Sequence, residues 1–80
     1  MSYMFEVYYK SPPDSHREKK ITEAVTPLGG TLTYREGTEE RDAPAVILTY
    51  EFEEWDSARN AATSLRRLGE HVEGPVNYGP

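Results

Sequence analysis

Side chains able to do chemistry are few in this 80-residue sequence, which has two histidines and no cysteine. The more suggestive histidine is His71, followed two positions later by Glu73. On a strand that spacing puts both on one face, where an imidazole and a carboxylate can act as a general acid–base pair. Tyr8 or Glu6 from a neighbouring strand would lie beside them. The same residues make a poor metal site, because scattered ligands lack the tight spacing of a zinc centre. The missing cysteines exclude disulfides, thiolate nucleophiles and cysteine-ligated zinc or iron–sulfur centres. No serine or threonine has a recognisable base partner. Gly29-Gly30 end a helix and do not begin one, which makes them a turn and not a phosphate loop. His16 falls in the first turns of a helix, in solvent. The sequence thus predicts no catalytic residue, no metal and no cofactor, and a solvated strand histidine is the simpler reading of His71.

Hydrophobic periodicity supplies the elements that position these side chains. Ser2 to Lys10 alternates, with Tyr3, Phe5, Val7 and Tyr9 on one side and Met4, Glu6, Tyr8 and Lys10 on the other. The charges of Glu6 and Lys10 mark the second set as the face away from the core. Ser11-Pro12-Pro13-Asp14 breaks this strand and offers two helix starts. Ser11 can cap with Asp14 at N3, or the helix can begin at Asp14, since a residue before proline avoids the α region. Ile21, Ala24, Val25 and Leu28 give the helix its inward stripe, and Gly29-Gly30 stop it.

Thr31 to Arg35 reads as a second strand, with Leu32 and Tyr34 inward and Thr31, Thr33 and Arg35 outward. Glu36 to Ala43 is a charged, solvated hairpin loop. Ala45 to Glu53 is the clearest strand, with Val46, Leu48, Tyr50 and Phe52 inward. Glu54 to Leu68 is the clearest helix, with Ala58, Ala61, Ala62, Leu65 and Leu68 as one stripe. Its acidic first turn and basic last turn suit the helix dipole. Glu70 to Glu73 is a short last strand with Val72 inward, and residues 74–80 form an extended or loose tail.

The order β-α-β-β-α-β predicts an α+β fold: a ferredoxin-like βαββαβ sandwich, the split βαβ arrangement. Its four-stranded antiparallel sheet has order 4-1-3-2, with two helices on one face. The length allows one domain, residues 1–80. The sheet's other face is open, and alternation assigns it Met4, Glu6 and Tyr8 from the first strand and Ile47 and Thr49 from the third. Arg35 joins from the second and His71 and Glu73 from the fourth. Met4, Tyr8 and Ile47 make a small apolar patch, suited to a second copy packed sheet to sheet or to another protein. A chain this small gains from covering such a face. Tyr3, Tyr9, Tyr34 and Tyr50 point to the core with hydroxyls at its rim, which leaves Tyr8 and Tyr78 free for contact.

Fourteen acidic and nine basic residues leave a formal charge of −5. Acidic residues crowd the hairpin (Glu36, Glu39, Glu40, Asp42) and the join after the third strand (Glu51, Glu53, Glu54, Asp56). Cations line the helices at Arg17, Lys19, Lys20, Arg59, Arg66 and Arg67. Solvated faces and dipole complementation are the simpler reading of this pattern; the sharper one is an acidic end and a basic helical layer suited to a charged protein partner. A nucleic-acid role for the open face is not expected. Ile47 and Thr49 stand where stacking rings are needed, and Glu6, Glu51, Glu53 and Glu73 repel phosphates. The longest apolar run, Ala45 to Leu48, is far shorter than the ~20 residues of a membrane span. No signal segment is visible, so a cytoplasmic location is expected and membrane partners are not.

Phe52-Glu53-Glu54-Trp55-Asp56-Ser57-Ala58, with Leu65-Arg66-Arg67-Leu68-Gly69 beyond it, resembles the strand-to-helix join of small ferredoxin-like proteins. ACT-type regulatory domains share the element order, and they bind amino acids near glycines at the first strand–helix join. Here that join reads Ser11-Pro12-Pro13-Asp14. The stretch Glu53 to Ala58 also resembles dimeric α+β-barrel monooxygenases. The leading expectation is a small soluble, non-enzymatic binding or regulatory protein acting through protein contact at its open sheet face. The alternative, which the second resemblance implies, is a small dimeric α+β-barrel type enzyme or ligand-binding protein using Tyr8, His71 and Glu73.

Overall fold

A computed structural model of the chain describes residues 2–37 and 44–79. In chain order the elements are β1 (Tyr3–Lys10), α1 (Ser15–Val25), a 3-10 turn (Thr26–Leu28), β2 (Thr31–Glu36), β3 (Ala45–Phe52), α2 (Trp55–Arg67) and β4 (His71–Asn77). The result is an α+β architecture with a four-stranded antiparallel sheet of order β2-β3-β1-β4. This is the expected strand order read from the other edge. The expected hairpin loop, with Glu39, Glu40 and Asp42, lies outside the described residues across positions 38–43. No helix among the described residues is long and apolar enough to cross a membrane.

Of the two possible starts for α1, the later one forms. The Asp14 carboxylate accepts the Arg17 N–H at 3.0 Å as N-cap. Two consecutive prolines keep Ser11 and Pro12 out of the helical region, so the chain turns helical only beyond them. At the other end, the 3-10 turn winds more tightly than an α-helix and rotates Leu28 out of the inward stripe, leaving it 36% exposed. Leu68 ends α2 as its C-cap and is 66% exposed, so it too leaves the expected stripe.

The remaining apolar positions meet in one cluster. Phe5, Val7 and Tyr9 of β1 and Val46, Leu48, Tyr50 and Phe52 of β3 bury against Ile21 and Val25 of α1 and Ala58, Ala61, Ala62 and Leu65 of α2. Val72 of β4 completes it. Phe5 packs between Phe52 and Tyr50, with ring centroids 5.2 and 5.8 Å away. Tyr50 is fully buried, and its hydroxyl meets Thr22 Oγ1 on α1 at 2.9 Å, so the phenol finds a partner without reaching the rim. Both helices therefore share one sheet face with the odd-numbered residues of β1.

The edge strands depart from simple alternation. In β2, Leu32 pairs with Tyr50 but Tyr34 pairs with Thr49, so Thr33 is the extra residue of a bulge. Tyr34, expected in the core, is turned to the far face and is 58% exposed. β4 is longer than the expected Glu70 to Glu73 strand. Glu73 pairs with Glu6 and Val76 with Met4, with a bulge between them. Gly74 sits there at φ +108°, where a Cβ would lie 3.1 Å from the Met4 carbonyl oxygen and 3.2 Å from Phe5 Cα. Glycine therefore permits the bulge, and the segment expected as an extended or loose tail continues as a paired strand to Asn77. The Tyr78 N–H then donates to the Ser2 carbonyl at 2.8 Å.

Two expectations follow from this packing. A methyl group on Gly30 would run into the Val25 side chain and the Phe52 ring. Gly30→Ala should lower unfolding stability by about 1–3 kcal/mol through overpacking, and an unchanged urea midpoint would contradict it. Burial also pushes the Tyr50 phenol above its ordinary 10.0, partly opposed by its bond to Thr22. The unfolded chain then loses the phenolic proton first, so this contribution is whole below pH 10.0 and disappears as pH rises beyond it. Stability should decline on the alkaline side less steeply in Tyr50→Phe than in the parent, and equal slopes would refute the assignment.

Candidate functional site

The face of the sheet opposite the helices is organised in three cross-strand rows. His71, Tyr8, Ile47 and Glu36 form the first; Glu73, Glu6, Thr49 and Tyr34 the second; Val76, Met4, Glu51 and Thr31 the third. The central strands keep strict alternation, so Met4, Glu6, Tyr8, Ile47 and Thr49 lie on this face, with His71 and Glu73 beside them on β4. Arg35 does not. The β2 bulge sends it to the helix side, where its Nη2 lies 2.7 Å and its Nε 2.8 Å from Glu18 Oε1. The aromatic Tyr34 occupies the open face in its place.

Glu18 is the buried carboxylate among the described residues, 9% exposed. The Tyr9 hydroxyl donates to its other oxygen, and the same hydroxyl accepts the Asp14 N–H at 2.8 Å. Nearby, Arg17 donates to both oxygens of Glu70, its Nη2 at 2.8 Å, and its guanidinium sits 5.1 Å from the Tyr9 ring centroid. On the helix side, Glu18 and Glu70 thus each meet an arginine.

The open face is different. Glu6 and Glu73 stand directly opposite each other on adjacent strands, an arrangement that is destabilising for like charges. Each has a hydrogen-bond partner: the Tyr8 hydroxyl donates to Glu6 at 3.3 Å, and His71 Nε2 lies 3.0 Å from Glu73 Oε1. The His71 ring meets the Tyr8 ring edge-on, centroids 5.8 Å apart. Tyr8, His71 and Glu73 are therefore brought together. His71 and Glu73 are open to solvent, their side chains 65% and 60% exposed, and Tyr8 is half-buried. Loss of solvation raises the Tyr8 phenol above 10.0, and Glu6, Glu73 and Glu36 push the same way through their charges.

A cleft of about 390 Å³ lies elsewhere, where the start of β2 and the end of β3 meet the first turn of α2. Thr31, Thr33, Glu51, Glu54 and Ser57 help line it, and none of Tyr8, His71 and Glu73 does. No group of three histidine, aspartate or glutamate side chains among the described residues is placed to hold a metal ion.

Alternation alone missed Tyr34, Val76 and Glu36 as members of the open face. For Val76 a signal was present, because Gly74-Pro75 inside a strand pattern marks a bulge. Glu36 fell just past the expected end of β2. For Tyr34 the local sequence held none. The sequence matches no known protein family and no curated protein.

The carboxylate environment of Tyr8 can be tested directly. Glu6→Gln removes the carboxylate charge beside the phenol and leaves its hydrogen bond only a neutral amide acceptor, so the Tyr8 titration should move down towards 10.0. Ring-carbon NMR of labelled tyrosines reads the change, and an unmoved Tyr8 curve would contradict this picture of the face.

Proposed function

We propose that this chain is a non-enzymatic binding or regulatory protein on the ferredoxin-like, split βαβ plan, holding another polypeptide against its open sheet face. The element order and the strand order β2-β3-β1-β4 support the plan. The observation that carries the function is where the bulges turn two large side chains. Tyr34 is 58% and Val76 49% exposed, and both join Met4, Tyr8 and Ile47 on the face that no helix covers. Bulges commonly re-aim side chains at functional edges, and an apolar patch rimmed by polar groups marks a contact site.

A second reading keeps Tyr8, His71 and Glu73 as the acid–base group of a small α+β-barrel type enzyme or ligand binder. The His71–Glu73 hydrogen bond and the His71–Tyr8 ring contact favour it. Against it stands the exposure of His71 and Glu73, since acid–base sites work in enclosed pockets.

Amide spectra of isotope-labelled protein in concentrated cell extract separate these readings. Contact through the open face predicts broadening at Met4, Tyr8, Tyr34, Ile47 and Val76, while Lys19, Lys20, Arg59 and Thr63 on the helices stay sharp. Broadening confined to the helices would overturn the proposal. A mass in light scattering of twice 9.1 kDa for the purified protein would make the partner a second copy.

A further inference from the structure

Charge is distributed unequally between the two sides of the sheet. On the helix side, Glu18 and Glu70 are held by Arg35 and Arg17. On the open face the register gathers Glu6, Glu36, Glu51 and Glu73. None of these four has an arginine or lysine partner among the described residues. Among those residues, Lys10 at the end of β1 is the one lysine or arginine that the register puts there. The β2 bulge widens this contrast by taking Arg35 away and supplying Tyr34.

The order of side chains along β1 is equally specific. Met4, Glu6 and Tyr8 follow one another on the face, two residues apart. Val76, Glu73 and His71 flank them on β4. An acidic pair is thus bracketed by an apolar pair on one side and a ring pair on the other. Successive outward side chains of a strand are about 6.6–6.8 Å apart. An extended segment with an apolar, a basic and an apolar residue at alternate positions repeats that spacing.

We propose that the occupant of the open face is a basic segment of another polypeptide, with arginine or lysine flanked at alternate positions by apolar side chains. The basic residue meets Glu6 and Glu73, and its neighbours cover Met4 with Val76 and Tyr8 with Ile47. This rests on the reading of the open face as the docking surface and adds the chemistry of what docks. A second copy packed sheet to sheet fits poorly. Stacked sheets lie about 10 Å apart, so each copy's carboxylates would face the other's within about one Debye length at 0.1 M salt. Opposite charge across an interface instead steers association and fixes register.

The probe is a synthetic peptide of repeating Leu-Ser-Arg-Ser units, titrated into labelled protein and followed by amide shifts. Three control peptides replace every Arg by Ser, every Arg by Glu, or every Leu by Ser. The expected result is saturable shifts at Met4, Glu6, Tyr8, Glu73 and Val76. Affinity should be at least tenfold weaker for each control and should fall with added salt. The double variant Glu6→Gln, Glu73→Gln should bind the Leu/Arg peptide at least tenfold more weakly. That variant removes a like-charge pair, so its fold is not at risk. Equal binding of the Ser-for-Arg control would overturn the basic partner while leaving the face as a docking surface. Shifts at the same residues that grow with protein concentration alone would replace the partner by a second copy. Peptide shifts on the helices, or no shift with any peptide, would remove the docking surface along with its occupant.

Discussion

The Glu18 carboxylate lies between α1 and the sheet, in a place that water barely reaches. An ionised carboxylate there is tolerable only if it is paired and hydrogen-bonded, since the uncompensated penalty is several kcal/mol. Tyr9 donates from β1 and Arg35 donates from β2. Arg35 must therefore lie on the helix side of its strand. Leu32 must lie there as well, because it packs against the core cluster. These two positions are three residues apart, and a regular strand puts such residues on opposite faces. An extra residue has to enter between them. The bulge at Thr33 is that residue, and it turns Tyr34 outward.

A related conflict of spacing operates on the opposite edge. Val72 belongs to the core, and Asn77 pairs with Tyr3, another residue on the helix side. Five positions separate them, so β4 also needs one extra residue, and Gly74 has the backbone freedom to accommodate it. Both bulges sit on edge strands, where an irregular ladder also discourages pairing with foreign strands. The central strands β1 and β3 keep an unbroken register across eight residue pairs. They form the frame, and the edges adjust what the frame displays.

The helix side consequently pairs Arg17 and Arg35 with its own carboxylates Glu70 and Glu18, and the open face keeps acidic, aromatic and aliphatic side chains in ordered rows. The neighbourhood of Tyr8, His71 and Glu73 belongs to this same surface. As a chemical group it has suitable contacts but no enclosure, and enclosure is what strengthens electrostatic and proton-transfer effects in a catalytic site. As part of a contact surface, the same side chains supply a ring edge, a hydrogen-bonding pair and a charge.

Alternation and helical periodicity are local properties, and for β1, β3 and α2 they determined the elements and most of their inward faces from the sequence alone. Met4, Glu6, Tyr8, Ile47 and Thr49 were legible as one surface because the central strands are regular. The Gly74-Pro75 pair carried a readable bulge signal that composition disguised as a tail. Arg35 and Tyr34 were not legible. Their exchange of faces depends on a carboxylate seventeen residues away in sequence, and no pattern within β2 records it. The sequence by itself determined which residues seek burial and with what period. Tertiary structure alone decided which side of the sheet Arg35 and Tyr34 occupy, because the buried Glu18 carboxylate has to be paired and Arg35 reaches it only across a bulge.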